Sequence, residues 1–201
     1  MNPGEQLAVE FLTTQEMTVE RFNKEEMQRT KTPDFRVFKA HQLVAYCEAK
    51  HIQRDGWLDN QMKNAQPLEV VGGARPDPIF NRLTTHIHEA AAQFDAVNSS
   101  LEYPNILVFA KSDHLCMFSD LIRVLTGNEY TDSGKIEPIF KEYSEGRIRL
   151  EKLKIDLYLW KDIWPGSSNT RIRFFYVRGS KHYLRICNLL GSDSTKHRIL
   201  G

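Results

Sequence analysis

The fold is decided by one stretch of the sequence, TPDFRVFKAHQLVAYCEAK, which occupies residues 32–50. Apolar and polar residues alternate over 35–38, which predicts a half-buried strand, and a polar turn follows at 39–42. Residues 43–47 are nearly continuously apolar, the pattern of a central strand that is buried on both faces. The stretch therefore predicts a β-hairpin whose second strand lies inside a sheet.

Two acidic residues flank this predicted hairpin. Asp34 precedes its first strand and Glu48 ends its second, so we expect the two carboxylates to meet at one end of the sheet. Alternation along the second strand places Glu48 and Lys50 on one face and turns Cys47 to the opposite face, into the core. Converging carboxylates suit a hard cation such as Mg²⁺, and a nearby lysine can orient or deprotonate water or neutralise a phosphate. These residue types favour metal-assisted phosphodiester hydrolysis.

The rest of the sequence predicts helices and strands that alternate through the middle of the chain. Helices are predicted over 5–12, from Ile79 into the nineties, and over 118–125, where Gly127 ends the helix. Strands are predicted over 17–22, 105–110, 154–161, 172–177 and 183–186, with a polar connection over 23–32 and a long loop, holding at most a helical turn, over 51–78. This order indicates an α/β sandwich with a mixed sheet.

The pair Pro33-Asp34 and the tripeptide Glu48-Ala49-Lys50, joined by a hairpin and followed by a long helix, resemble the PD-(D/E)xK nuclease superfamily and its uncharacterised bacterial members. The resemblance covers about residues 1–165. It implies a restriction-endonuclease-like α/β sandwich, with a central mixed sheet flanked by helices, that cleaves DNA. It further implies that Asp34, Glu48 and the Ala49 carbonyl bind Mg²⁺, for which Mn²⁺ can substitute, and that Lys50 positions the attacking water.

The same resemblance implies a third metal carboxylate from the first helix. Glu5 is the better match because it lies seven residues before Leu12, as in archaeal Holliday-junction resolvases, and Glu10 is the second candidate. The alternative is that both acids complement the helix dipole or face water.

The long helix carries a polar stripe beside its apolar face. At about 100° per residue, the stripe contains Arg82, His86, Glu89 and Gln93. The resemblance implies that Gln93 leans over the catalytic centre and that Arg82 contacts phosphate. The alternative is a boundary stripe that stabilises the helix through spaced polar pairs.

Charge is unevenly distributed along the chain, although the net charge is only +1. Residues 171–201 hold seven basic side chains against the single acid Asp193, which leaves 20 basic and 25 acidic residues before them. We expect Arg171, Arg173, Arg178 and Lys181 to neutralise phosphates along a DNA substrate. A solvated edge strand followed by a loose tail is an equal alternative.

Composition narrows the class of protein. The 201 residues, 41% hydrophobic and 26% charged, predict a single domain over 1–201 with a core over about 1–165 and basic strands over 166–201. We expect no membrane span and no secretory leader. Three cysteines without CxxC spacing indicate a reducing cytoplasm rather than a disulfide or zinc framework.

Two further expectations concern function. Residues Lys111, Asp113 and His114 follow a predicted strand and are interpreted as loop residues rather than as part of the site. A homodimer is plausible because cutting both strands of DNA commonly needs two sites. The main alternative to the nuclease is a catalytically silent module on the same fold that binds nucleic acid or a partner, and a third is an unrelated α/β protein in which the motif is coincidental.

Overall fold

The computed structural model describes residues 1–53, 56–72, 79–113, 115–131, 133, 135–138, 148, 150–163 and 171–192. Its helices are α1 (Pro3–Thr14), α2 (Lys24–Arg29), α3 (Trp57–Asn64), α4 (Ile79–Asn98), α5 (Phe118–Thr126) and α6 (Tyr183–Leu189), with a 3₁₀ turn at Glu151–Lys154. Its strands are β1 (Thr18–Arg21), β2 (Phe35–Lys39), β3 (Gln42–Ile52), β4 (Asn105–Lys111), β5 (Asn128–Tyr130), β6 (Ile136–Pro138), β7 (Leu157–Asp162) and β8 (Arg173–Tyr176).

Six of these strands form one mixed sheet in the order β1-β2-β3-β4-β7-β8. The three central strands β3, β4 and β7 are parallel to one another. Strand β1 pairs with β2, β2 with β3 and β7 with β8, and these three pairings are antiparallel. Strands β5 and β6 pair separately. The predicted mixed α/β sheet is therefore confirmed.

Helices cover both faces of the sheet. On one face, Ile87 and Phe94 of α4 pack in a core with Leu107 of β4. On the other face, Phe11 of α1 packs in a second core with Cys47 of β3. The prediction that β3 is buried on both faces, with Cys47 turned away from Glu48, is confirmed.

Helix α1 begins with strong local signals. Asn2 caps it, Pro3 occupies its first turn, and Glu5 completes a capping box with Asn2. Gly4 lets this end of the helix approach β3, since a Cβ at Gly4 would lie 2.9 Å from the Lys50 carbonyl oxygen. The N-terminus of α1 is thus held against the strand that carries the motif.

The structure differs from the prediction in three segments. Residues 183–186, predicted as a strand, belong to α6, so the described residues 177–192 after β8 contain a helix and no further strand. Residues 23–32, predicted as a polar connection, contain α2, whose capping box joins Asn23 and Glu26. The long loop at 51–78 contains a complete helix, α3, rather than a single turn. His114, Lys196 and Arg198 lie outside the described residues.

The helices in the described part of the chain include none long and apolar enough to cross a membrane.

Candidate active site

The hairpin of β2 and β3 brings Asp34 and Glu48 into direct contact. The Asp34 amide donates to Glu48 Oε2 over 3.0 Å, and the Ala49 amide donates to Asp34 Oδ2 over 2.9 Å. The register that pairs Phe35 with Cys47 forces this arrangement, because the residues flanking that pair lie beside each other. Each carboxylate is therefore fixed by a main-chain amide of the opposite strand. The predicted meeting of Asp34 and Glu48 is confirmed, but Glu48 does not end its strand, because β3 continues to Ile52.

Burial and mutual repulsion perturb both carboxyl groups. Glu48 is only 3% exposed. Burial, followed by the neighbouring charge of Asp34, raises the pKa of Glu48 to about 7, against the opposing effect of Lys50. Burial also raises the pKa of Asp34, and the charges of Glu5 and Lys50 act on it in opposite directions. Two carboxyls held this close lack sufficient positive charge to remain fully ionised near neutral pH.

Lys50 lies on the same face as Glu48, as predicted. Its Nζ is 2.9 Å from Glu48 Oε1, and it donates to Glu89 Oε2 over 3.1 Å and to Gln93 Oε1 over 3.3 Å. Burial acts to lower the pKa of Lys50, but the carboxylates of Glu48 and Glu89 outweigh it and raise the pKa above its ordinary value. Lys50 is therefore an ammonium group surrounded by oxygen acceptors.

The polar stripe of α4 lies against this cluster. Gln93 donates from Nε2 to the Thr32 carbonyl over 2.9 Å while its Oε1 accepts from Lys50, so it links the segment before Asp34 to the lysine. His86 lies beside the Phe109 ring, and burial followed by the Lys50 charge lowers its pKa. The stripe predicted from the sequence is therefore at the site, and Glu89 joins Gln93 as a direct partner of Lys50.

Arg82, the first basic residue of the stripe, lies farther along the same side of the molecule. It donates to Asp113 Oδ2 over 3.0 Å and to the Gln53 carbonyl over 3.0 Å. Asp113 is 1% exposed. The charges of both Lys50 and Arg82 lower the pKa of His86, after the larger effect of burial.

The structure separates the two candidates for a third carboxylate. Glu5 accepts hydrogen bonds from Arg21 and from the Asn2 amide. Its charge raises the pKa of Asp34, an effect smaller than that of burial, which also raises the pKa, and than that of the Ala49 hydrogen bond, which lowers it. Glu10 accepts from Gln6 over 2.9 Å and lines a cavity of about 180 Å³ whose walls include Lys161. Glu5 is the acid that interacts with Asp34.

Glu5 nevertheless does not join a three-ligand cluster. No group of three or more His, Cys, Asp or Glu side chains positioned to hold a metal ion occurs among the described residues. Two carboxylates are a sufficient donor set for Mg²⁺, which is usually held by one or two carboxylates and retains several waters. The Asp34–Glu48 pair fits that requirement, since main-chain amides hold its two carboxylates side by side as oxygen donors.

The basic residues predicted to contact nucleic acid lie at opposite ends of the parallel strands, which we call the carboxyl edge and the amino edge. Arg173 pairs with Trp160, near the carboxyl ends of the parallel strands, and its Nη1 is 3.6 Å from Asp162 Oδ2. Arg171 is exposed and precedes it. Arg178 follows β8, and Lys181 donates to the Ser100 carbonyl over 3.2 Å, at the amino ends of the parallel strands. The predicted basic face is therefore divided.

Sequence reasoning missed the interactions of the residues that follow β4. Lys111 is fully buried, with its Nζ 3.2 Å from Asp162 Oδ1. Asp113 is buried against Arg82. Interpreting Lys111 as a loop residue is wrong, because Lys111 ends β4. Asp113 follows the strand as interpreted, but both side chains form buried ion pairs. The missed signal is the continuous apolar run of 106–110, which indicates a central strand. Charged residues at the end of a central strand are enclosed by the neighbouring elements.

Comparison of this chain with models of protein families, with curated proteins and with solved structures finds no match.

Proposed function

We propose that this chain is a metal-dependent nuclease of the PD-(D/E)xK type, with a restriction-endonuclease-like fold, that hydrolyses phosphodiester bonds of DNA. The observation that carries the proposal is the contact of Asp34 with Glu48 across the β2–β3 hairpin, with Lys50 on the same face 2.9 Å from Glu48. Main-chain amides fix both carboxylates, so the ligands for a cation are preorganised.

Each residue of the cluster has a specific role in this proposal. Asp34, Glu48 and the Ala49 carbonyl would hold Mg²⁺ or Mn²⁺. The bound ion supplies Lewis-acid polarisation of the phosphate and a water of lowered pKa. Gln93 positions Lys50 and the segment that leads into Asp34, through its bonds to Lys50 and Thr32. Glu5 remains a candidate additional ligand through its interaction with Asp34.

The electrostatics of Lys50 favour one of its two conceivable roles. A lysine whose pKa is raised is protonated at neutral pH and cannot accept a proton from water. As an ammonium group it donates hydrogen bonds, so it orients the attacking water and neutralises charge that develops on the phosphate. We therefore assign Lys50 to orientation and charge stabilisation rather than to general-base catalysis.

Phosphates on either side of the scissile bond would meet the basic residues of the two edges. Arg82, Arg171 and Arg173 are on the carboxyl edge of the parallel strands, and Arg178 and Lys181 are on the amino edge. Such contacts provide salt-sensitive affinity without sequence information.

The test is cleavage of supercoiled plasmid and of single-stranded DNA in Mg²⁺, Mn²⁺ or EDTA. Wild type is expected to cut only with metal, Lys50→Ala to lose cutting, and Lys63→Ala, an exposed control on α3, to match wild type. Linear rather than nicked plasmid as the first product would indicate two sites acting together, as in a homodimer. Wild-type cutting by Lys50→Ala would refute the proposal.

One observation favours the alternative, a silent binding module. Asp34, Glu48 and Lys50 already satisfy one another, and no larger ligand group occurs in the described part of the chain. Mn²⁺ binding followed by electron paramagnetic resonance separates the two functions. A nuclease site binds Mn²⁺ and loses it in Asp34→Asn, whereas a silent module binds none.

A further inference from the structure

The amino edge of the parallel strands carries three exposed basic side chains that form no ion pair with an acid among the described residues. We call these side chains the amino-edge patch; they are Arg178, Lys181 and Arg185. Lys181 donates to the Ser100 carbonyl, and Arg185 donates to the Glu102 carbonyl over 3.3 Å. Within the described residues, no ion pair joins any of the three to an acid.

The opposite edge differs in its charge balance. There Arg82 is paired with Asp113, and Lys111 and Arg173 share Asp162. A phosphate that approaches the carboxyl edge must compete with these carboxylates, whereas the amino-edge patch contacts main-chain carbonyls and the Tyr103 ring. The patch is therefore the stronger polyanion site of the two edges.

A chain of aromatic rings connects the amino-edge patch to the candidate active site. The Arg185 guanidinium lies 5.4 Å from the centre of the Tyr103 ring, which lies 6.0 Å from the Tyr46 ring. Tyr46 and Glu48 are two residues apart on the same face of β3, so the patch lies about 20 Å from the catalytic carboxylates. At about 3.4 Å per phosphate along one strand, that distance corresponds to about six base pairs.

We propose that Arg178, Lys181 and Arg185 form a secondary binding site for the phosphate backbone of a nucleic acid whose scissile bond lies at Asp34 and Glu48. The proposal rests on the proposed nuclease function and adds Arg185 to its binding residues. It predicts that the patch holds the substrate without taking part in chemistry, so it affects KM and not kcat. A DNA that extends about six base pairs from the scissile bond is long enough to reach both sites.

The test compares wild type with the double variant Lys181→Gln/Arg185→Gln. The matched control is Lys63→Gln/Lys135→Gln, which removes two exposed charges outside both sites. Binding of a DNA duplex of about 30 base pairs in EDTA is followed by fluorescence anisotropy between about 50 and 200 mM salt. In the double variant, the slope of log K against log salt is expected to be smaller in magnitude by about 2, and binding at the low-salt end about tenfold weaker. The control is expected to retain the wild-type slope.

Cleavage kinetics in Mg²⁺ complete the experiment. In Lys181→Gln/Arg185→Gln, KM is expected to rise about tenfold with kcat within about twofold of wild type, and Lys181→Arg/Arg185→Lys is expected to restore KM. Unchanged KM and salt slope, or a fall in kcat alone, would overturn the proposal. So would wild-type binding to phosphatidylserine vesicles but not to DNA, which indicates a membrane surface.

Failure of the nuclease proposal gives a different result. If wild type binds DNA through the patch but does not cut it with any metal, the patch stands as a nucleic-acid surface and the nuclease assignment falls. If wild type cuts DNA and the double variant matches it in binding and KM, the nuclease stands and the patch falls.

Discussion

At the scale of single residues, the chemistry of the site is concentrated in Glu48. It accepts the Asp34 amide, lies against the Lys50 ammonium and is almost completely buried. Burial and then the charge of Asp34 raise its pKa, and the charge of Lys50 offsets them only in part. A divalent cation at this position would restore the balance of charge.

This imbalance predicts how stability depends on pH. The pKa of Glu48 is about 7 in the folded chain against an ordinary value of 4.5, so between these values the folded chain retains a proton that the unfolded chain has released. The stability of metal-free protein is therefore expected to fall as pH rises through this range, by about 3 kcal/mol at most. Urea unfolding in EDTA at about pH 4.5 and pH 8 measures it.

Glu48→Gln is the control, because it removes the titrating group and retains an amide of similar shape. The fall in stability is expected to be smaller in the variant than in wild type. Added Mg²⁺ should stabilise wild type more at pH 8 than at pH 5, since the cation binds the ionised carboxylates. Identical pH dependence in the two proteins would contradict the assignment.

At the scale of elements, the close approach of α1 to β3 positions the site. The N-terminal turn of α1 holds Glu5 near Asp34 and contacts the strand at Lys50. Only a residue without a Cβ fits at position 4, since the atom that it would meet is a main-chain oxygen.

Gly4→Ala is therefore expected to destabilise the protein by about 1–3 kcal/mol through overpacking, because α1 must move away from β3. Gly72→Ala is the matched control, since a Cβ there would meet nothing within 4 Å. Urea unfolding of both variants tests the prediction. Equal stability of Gly4→Ala and Gly72→Ala would show that α1 is not in close contact with Lys50.

The buried ion pair of Lys111 and Asp162 joins the carboxyl ends of β4 and β7. Asp162 also accepts a hydrogen bond from Trp160 Nε1. Lys111→Met leaves Asp162 buried with less compensation and is expected to cost about 3 kcal/mol. Lys161→Met, a partly exposed neighbour, is expected to cost less than about 0.5 kcal/mol. Urea unfolding measures both, and a Lys111→Met protein as stable as the Lys161→Met protein would contradict a structural role for the pair.

Local pattern explains which elements were predictable from the sequence. The β2–β3 hairpin follows from alternation, a polar turn and a long apolar run, which all indicate the same structure. Helix α6 has only seven residues, and a short apolar run does not distinguish a helix from a strand. Helix α2 has a capping-box signal in Asn23 and Glu26, but none of its residues is buried, so it lacks the apolar face from which helices are usually predicted.

The contacts of the candidate site were likewise predictable only in part. The contacts of Asp34 with Glu48 and of Lys50 with Glu48 follow from hairpin register and strand alternation, and α4 presents Gln93 where its helical phase predicts. The links of Glu5 to Arg21 and of Lys50 to Glu89 join elements distant in sequence. Such contacts depend on how the elements pack, which no local pattern specifies.

At the scale of the whole molecule, the charge asymmetry of the sequence becomes a difference between two edges of one sheet. At the amino edge, Arg178, Lys181 and Arg185 form no ion pair with any acid in the part of the chain that the structure describes. The carboxyl edge neutralises its cations with Asp113 and Asp162. The Asp34–Glu48–Lys50 cluster lies within the sheet that joins them.

The most direct measurement of the central claim is the rate of DNA cleavage by wild type and by Glu48→Gln, each in Mg²⁺ and in EDTA. We predict that wild type cuts DNA in Mg²⁺ and not in EDTA. The cleavage rate in Mg²⁺ is expected to fall by more than about 100-fold in Glu48→Gln, the size expected when one preorganised electrostatic group is removed. Cutting by Glu48→Gln at the wild-type rate, or wild-type cutting that persists in EDTA, would contradict it.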